Sequence, residues 1–298
     1  MKYNSSNKPL VCMQTNNTCY KGTRKMAVKG VLWHSTGANN PWLKRYVQPS
    51  DNASDKVEML KLLGENKNRN DWNHIDRQAG LNCWIGKLDD GTITTIQTMP
   101  WDYRPWGCGS GFKGSCNDGW IQFEICESDL NDKEYFNKVY EEACEITAYL
   151  CKLYNLDPNG TTTLNGVKVP VILCHADSYK LGLGSNHGDV TYWFKNHGKT
   201  MDDVRKDVAK LMNKTTPFVS STPIGFTPYL VKVTADVLNI RKSAGTNHSI
   251  VGTIEDNGVY TIVEEAVGQG ASKWGLLKGY QKYRNGWISL DYAKKVNN

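Results

Sequence analysis

The sequence predicts an α/β domain, a mixed sheet flanked by helices, followed by a small all-β unit. Three observations predict it. Strand-like apolar runs alternate with helical spacing through residues 1–212. A stretch rich in Pro, Ser and Thr interrupts the chain at 213–228. Beyond it lie short runs of strand character and no cysteine. The 298 residues are about twice a usual domain of roughly 100 to 200 residues. A hydrophobic content of 39% with 10 Trp and 15 Tyr excludes disorder as the main state.

Val28 to Trp33 is an apolar strand. Ser54 to Leu63 reads as a short helix, with Ser54 as N-cap and Gly64 just past its end. Trp120 to Glu127 alternates, placing Ile121, Phe123 and Ile125 on one face and Gln122, Glu124 and Cys126 on the other. Asp132 to Tyr154 is a helix whose Phe136, Val139, Tyr140, Ala143, Ile146, Leu150 and Leu153 form one buried stripe, with Cys144 and Cys151 beside it. Val169 to Cys174 is a buried strand, and Thr200 to Met212 a helix whose Thr200 and Asp203 have capping-box spacing. The interruption is extended and exposed by composition, a linker. In the tail, Tyr229 to Val233, Val237 to Ile240, Ile250 to Ile254, Val259 to Glu264, Trp274 to Lys278 and Trp287 to Leu290 read as strands of a small barrel. Asp256-Asn257-Gly258 is a tight-turn signal between two of them.

The net charge of +6 suits a polyanionic surface but lacks the Lys/Arg blocks of a nucleic-acid binder. Neither a membrane-spanning stretch nor a signal peptide is expected, so the chain reads as made in a cytosol. There its nine cysteines, all before residue 175 and without a CxxC pair, are expected to stay buried thiols. Cys108 and Cys116 are the pair best placed for any later disulfide.

Two of the six histidines stand out. His34 ends one predicted strand and His175 another, and polar groups at the strand ends of an α/β sheet converge over one edge. Ser185-Asn186-His187-Gly188-Asp189 offers a third ligand, and three N/O ligands with one open position make a catalytic zinc site; Asp177 competes for the third place. Glu124 is either a general base in a half-buried cleft or a solvent-facing residue on an edge strand. Gly109 to Gly114 matches GxGxxG by letter only and reads as a flexible loop. Trp101, Arg104 and Trp106 form either a substrate-binding wall or part of a core.

Gly30-Val31-Leu32-Trp33-His34-Ser35-Thr36-Gly37, Trp120 to Glu127, Cys174-His175-Ala176-Asp177 and Ser185 to Val190 together resemble the zinc-dependent N-acetylmuramoyl-L-alanine amidases, the class of phage lysozyme-type amidases and peptidoglycan recognition proteins. The tail, with Val237 to Arg241, Val259 to Ile262 and Gly286-Trp287-Ile288, resembles bacterial SH3 domains. The resemblance implies a catalytic domain at 1–212, a linker at 213–228 and an SH3-like cell-wall-binding domain at 229–298, the parts of a phage or prophage endolysin acting on a Gram-positive wall. It implies Zn2+ on His34, His175 and Asp189, with Glu124 activating water. His187 would steady the oxyanion from a position where relatives more often carry Lys. The implied partner is peptidoglycan, with no nucleic acid and no membrane insertion. The rival readings are a cell-wall endopeptidase and a protein that binds peptidoglycan without cutting it.

Overall fold

In the computed structural model, which describes residues 1–4, 7–213, 228–278 and 286–296, the chain divides into two units, Met1–Lys214 and Thr215–Asn298. Most of the expected linker, residues 214–227, lies outside the described residues. The first unit runs β1 (Leu10–Val11), α1 (Thr18–Lys21), β2 (Gly30–Ser35), α2 (Lys56–Leu63), β3 (Cys83–Lys87), β4 (Ile93–Gln97), β5 (Trp120–Ile125), α3 (Lys133–Leu153), β6 (Thr161–Leu164), β7 (Val167–Pro170), β8 (Ile172–Cys174), α4 (His175–Lys180), α5 (Thr191–Asn196) and α6 (Met201–Asn213). Six strands form one mixed sheet in the order β1-β4-β3-β5-β2-β8, in which only β3 and β4 pair antiparallel.

Both faces of this sheet are covered, as parallel strands require. Val31, Trp33, Ile121, Phe123, Ile125, Ile172 and Cys174 point into a core shared with α3, α5 and α6. On α3 the stripe Phe136, Val139, Tyr140, Ala143, Ile146 and Leu150 is buried as its spacing predicts, Cys144 and Cys151 pack with it, and Asp132 caps the helix by accepting from the Tyr135 N–H. Leu153 is half exposed at the helix end. On the opposite face Trp84 and Cys126 join one cluster and Leu32, Trp120 and Leu173 another.

Several boundaries differ from expectation. β2 begins and ends two residues later than predicted, so His34 lies within the strand rather than just after it. α2 starts at Lys56 with Asp55 as its cap residue and no side-chain capping bond, so Ser54 does not cap it. The run at 169–174 is two strands: β7 pairs with β6 in a separate hairpin, and the chain re-enters the main sheet as β8. Pro170, which has no N–H to give a ladder, stands at that break. The loop at 109–114 is a packed turn: a Cβ on Gly111 would lie 2.3 Å from the Gly182 carbonyl oxygen, so backbone meets backbone there.

In the second unit, β9 (Tyr229–Val233), β10 (Leu238–Arg241), β11 (Ile250–Ile254), β12 (Val259–Gly268), β13 (Ala271–Leu277), β14 (Trp287–Ser289) and β15 (Ala293–Lys295) form an all-antiparallel sheet in the order β11-β10-β14-β13-β12-β9-β15. Val231, Val233, Leu238, Ile240, Ile254, Ile262, Leu277 and Ile288 make its core. Asp256 does form the expected turn, its Oδ1 accepting from the Gly258 N–H at 3.0 Å, yet β11 and β12 on either side are not paired. No helix among the described residues is long and apolar enough to cross a membrane.

Candidate active site

Three neighbouring parallel strands, in the order β5-β2-β8, deliver the site to one edge of the sheet. His34 near the end of β2 is the direct register partner of Glu124 on β5, and Trp33 is that of Cys174, the last residue of β8. His175 follows immediately as the first residue of α4, and the Ala176 N–H donates to the Asp189 carbonyl at 3.0 Å, which ties the loop carrying Asp189 to the same edge. β5 lies between β3 and β2, so Glu124 is not on an edge strand.

His34 Nδ1 lies 3.0 Å from Asp189 Oδ2 and 3.1 Å from His175 Nδ1, and His175 Nδ1 lies 3.4 Å from Asp189 Oδ1. All three residues are buried. Burial opposes a charge on His34, but the hydrogen bond and charge of Asp189, with the charge of Glu124, outweigh it and raise its pKa. On His175 burial prevails, helped by the charges of His34 and His187, and lowers its pKa despite Asp189. Burial also works against ionisation of Asp189, yet hydrogen bonds and charge from the two histidines hold its carboxyl well below the usual range. The group is therefore one carboxylate, with one oxygen turned to each imidazole, and two imidazole nitrogens; one ligand atom from each of the three residues lies within 4.8 Å of the others. The zinc–ligand distances of about 2.0 to 2.2 Å expected for N and O donors place tetrahedral donors about 3.3 to 3.6 Å apart; the pairs here are 3.0 to 3.4 Å apart, each histidine meeting its own oxygen of Asp189. The residues fit a zinc ion.

Asp177, the competing ligand, is not in this group; its Oδ2 lies 3.7 Å from Arg205 Nη2. Glu124 is partly exposed as a residue, but its Oε2 is enclosed and has no hydrogen-bond partner. Burial, with the charges of Asp189 and Glu127, pushes the Glu124 carboxyl up to about 8 against the opposing charges of His34 and Arg77. An enclosed carboxylate oxygen with nothing to accept is available for a proton. His187 is exposed and stacks on His175, ring centroids 4.7 Å apart, so it stands at the mouth of the site. The Arg104 guanidinium lies 5.1 Å from the Trp106 ring centroid and donates to Asp118, whereas Trp101 packs against the main core. Gly107 lies directly behind the site: a Cβ there would come within 3.2 Å of His34 Nε2.

Sequence reasoning missed the groups behind the histidines. Gln122 Oε1 lies 2.8 Å from His34 Nε2, and Ser185 Oγ lies 3.1 Å from His175 Nε2. Gln122 had a visible signal, since it lies two residues before Glu124 on the same strand face; Ser185 had none beyond its place in a polar loop. The Cys108 thiol is near Gln122, but burial pushes it up to about 11, which keeps it protonated and unsuited to nucleophilic attack at neutral pH.

A family profile described as N-acetylmuramoyl-L-alanine amidase matches residues 24–190, more than half of the chain and the whole of this site. The chain belongs to the N-acetylmuramoyl-L-alanine amidase family. It is a peptidoglycan amidase. Among solved structures the amidase is similar to the Staphylococcus aureus hydrolase AmiA in complex with its ligand, at 17% identity and TM-score 0.44, over 68% of this chain and 83% of that one. It is also similar to PlyL, at 17% identity and TM-score 0.43 over 67% of this chain and 96% of that one. The PlyG catalytic domain matches at 18% identity and TM-score 0.42, over 69% and 97% respectively. No curated protein matches the chain.

Proposed function

We propose that the amidase hydrolyses the bond between the lactyl group of N-acetylmuramic acid and L-alanine, with zinc held by His34 Nδ1, His175 Nδ1 and an Asp189 carboxylate oxygen. The convergence of these donors beside the unpartnered Glu124 Oε2 carries the reading. Zinc bound there would polarise the lactyl carbonyl and lower the pKa of a water toward about 7.

Glu124 Oε2 accepts a proton from the attacking water and returns it to the departing L-alanine nitrogen, so that the amine leaves neutral or protonated rather than as an amide anion. The enclosure that raises the Glu124 carboxyl to about 8 makes its ionised form a stronger base. His187, at the mouth of the site, stands where it can donate to the carbonyl oxygen as negative charge develops on it. Trp106, next to Gly107 and stacked by Arg104, offers an aromatic face for the sugar side of the substrate.

The second unit is proposed as an SH3-like wall-binding domain, reached through a linker at 213–228. The charge of +6 favours an anionic Gram-positive wall, and tethering to it raises the local concentration of the catalytic unit. A phage or prophage endolysin, made in the host cytoplasm, is the biological setting proposed for these parts. The test is product analysis on purified peptidoglycan. New alanine amino groups should appear in equal number with freed lactyl carboxyls; new amino groups on other stem or bridge residues would contradict the proposal and support an endopeptidase.

A further inference from the structure

We propose that the segment 107–117 is a positioning element of the metal centre that fixes both ligating histidines as their Nε2–H tautomers. The argument is a chain of obligate hydrogen-bonding roles. Asn117 Oδ1 faces the backbone N–H groups of Gly107 at 3.1 Å and Cys108 at 3.2 Å, which can only donate. Asn117 Nδ2 faces the Gly109 carbonyl at 2.8 Å, which can only accept. The orientation of this amide is thereby settled. The Gln122 group 2.8 Å from Asn117 Oδ1 must then be its NH2, which leaves Gln122 Oε1 turned to His34 Nε2. An amide oxygen can only accept, so His34 carries a proton on Nε2 and, when neutral, presents the Nδ1 lone pair to the centre.

A second relay starts from the same segment. The Ser185 hydroxyl donates to the Cys108 carbonyl at 3.2 Å, so its oxygen accepts from His175 Nε2 at 3.1 Å. His175 thus also carries its proton on Nε2 and turns Nδ1 inward. With both rings neutral, the two Nδ1 atoms 3.1 Å apart and the Asp189 carboxylate beside them form a donor set that a proton or a metal cation fills. Packing leaves little slack in the first relay. A Cβ on Gly107 would lie 2.4 Å from Gln122 Oε1 and 2.6 Å from Leu81 Cδ2, so a larger residue there would press the Gln122 amide out of its place against His34. The glycine-rich stretch is thus a rigid support for the site rather than a flexible or phosphate-binding loop.

Gln122, Asn117 and Ser185 are positioning residues in this account, which rests on the reading that the histidines hold a metal. The experiment is a long-range proton–nitrogen NMR spectrum of the histidine rings in the metal-free full chain at about pH 9, where neutral imidazoles report their tautomer. Wild type should show both rings as Nε2–H. Gln122→Met should lose that preference at His34 alone, and Ser185→Ala at His175 alone. Each variant should bind zinc roughly 10- to 100-fold more weakly in a chelator competition, the usual cost of losing such a support. Either ring in wild type carrying its proton on Nδ1, or tautomers unmoved in both variants, would overturn the proposal whether or not they fold as well as wild type. Absence of zinc binding by wild type would instead refute the metal reading, so the two failures are distinguishable.

Discussion

Replacing Glu124 with glutamine in the metal-free protein should change the pH dependence of stability in one direction. In the folded chain, burial first, and then the charges of Asp189 and Glu127, raise the carboxyl from its ordinary 4.5 to about 8. A group whose folded value lies above its unfolded one contributes stability that is fully present below the unfolded value and is lost as pH rises through the folded one. Wild type should therefore lose stability between pH 4.5 and about 8, the window set by Glu124. At about 1.4 kcal/mol per pH unit the loss is on the order of 5 kcal/mol. The neutral amide of the variant cannot ionise and escapes it, so the advantage of Glu124→Gln over wild type should grow with pH across that window. Urea unfolding of both proteins in the presence of a chelator, at several pH values, measures the difference directly; groups remote from Glu124 cancel in it, while His34 and Asp189, whose charges act on Glu124, titrate as part of the same change. A gap that stays constant from acid to alkaline pH would show that the carboxyl is not desolvated as described, and would remove the basis for its role as a base.

Other predictions follow from the same geometry. Glu124→Ala should retain zinc but lose about 100- to 10,000-fold in turnover on peptidoglycan, the range for a missing general acid/base; wall lysis near the wild-type rate would refute its role. At Gly30 an added Cβ would lie 2.1 Å from the Val171 carbonyl oxygen, the acceptor of the Val31 N–H, and 2.3 Å from Trp120 Nε1. Gly30→Ala should therefore cost about 1 to 3 kcal/mol or more in urea unfolding, as overpacking does, and unchanged stability would contradict that close contact.

The parts of this molecule that were legible in the sequence are those that local periodicity encodes. The stripe on α3 is a short-range pattern, and the alternation of β5 puts Ile121, Phe123 and Ile125 into one core, with Glu124 on the other face. The β3–β4 pair was missed, although Asp90-Gly91 lies in its connection and Gly91 adopts the positive φ that such a turn needs. The split of 169–174 into β7 and β8 could not be read from periodicity, because both halves are apolar and only their partners differ. The site is long-range in a stronger sense. His34 and Asp189 meet across 155 residues, and His34 and Gln122 across 88, so no window along the chain contains the pair. Ser54 failed as a cap for a related reason: its residue type permits capping, but the helix begins beyond it. The segment 109–114 was misread because glycine signals freedom and close approach with the same letter, and packing against Gly182 decides for close approach.

The most direct test of the central claim is the zinc content of purified wild type and of Asp189→Ala by elemental mass spectrometry, measured together with lysis of a Gram-positive wall suspension. The account predicts about one zinc per wild-type chain, as for a three-ligand catalytic site, with zinc and lysis falling together in the variant. A wild-type protein that lyses walls without zinc, or an Asp189→Ala protein that keeps both its zinc and its activity, would contradict it.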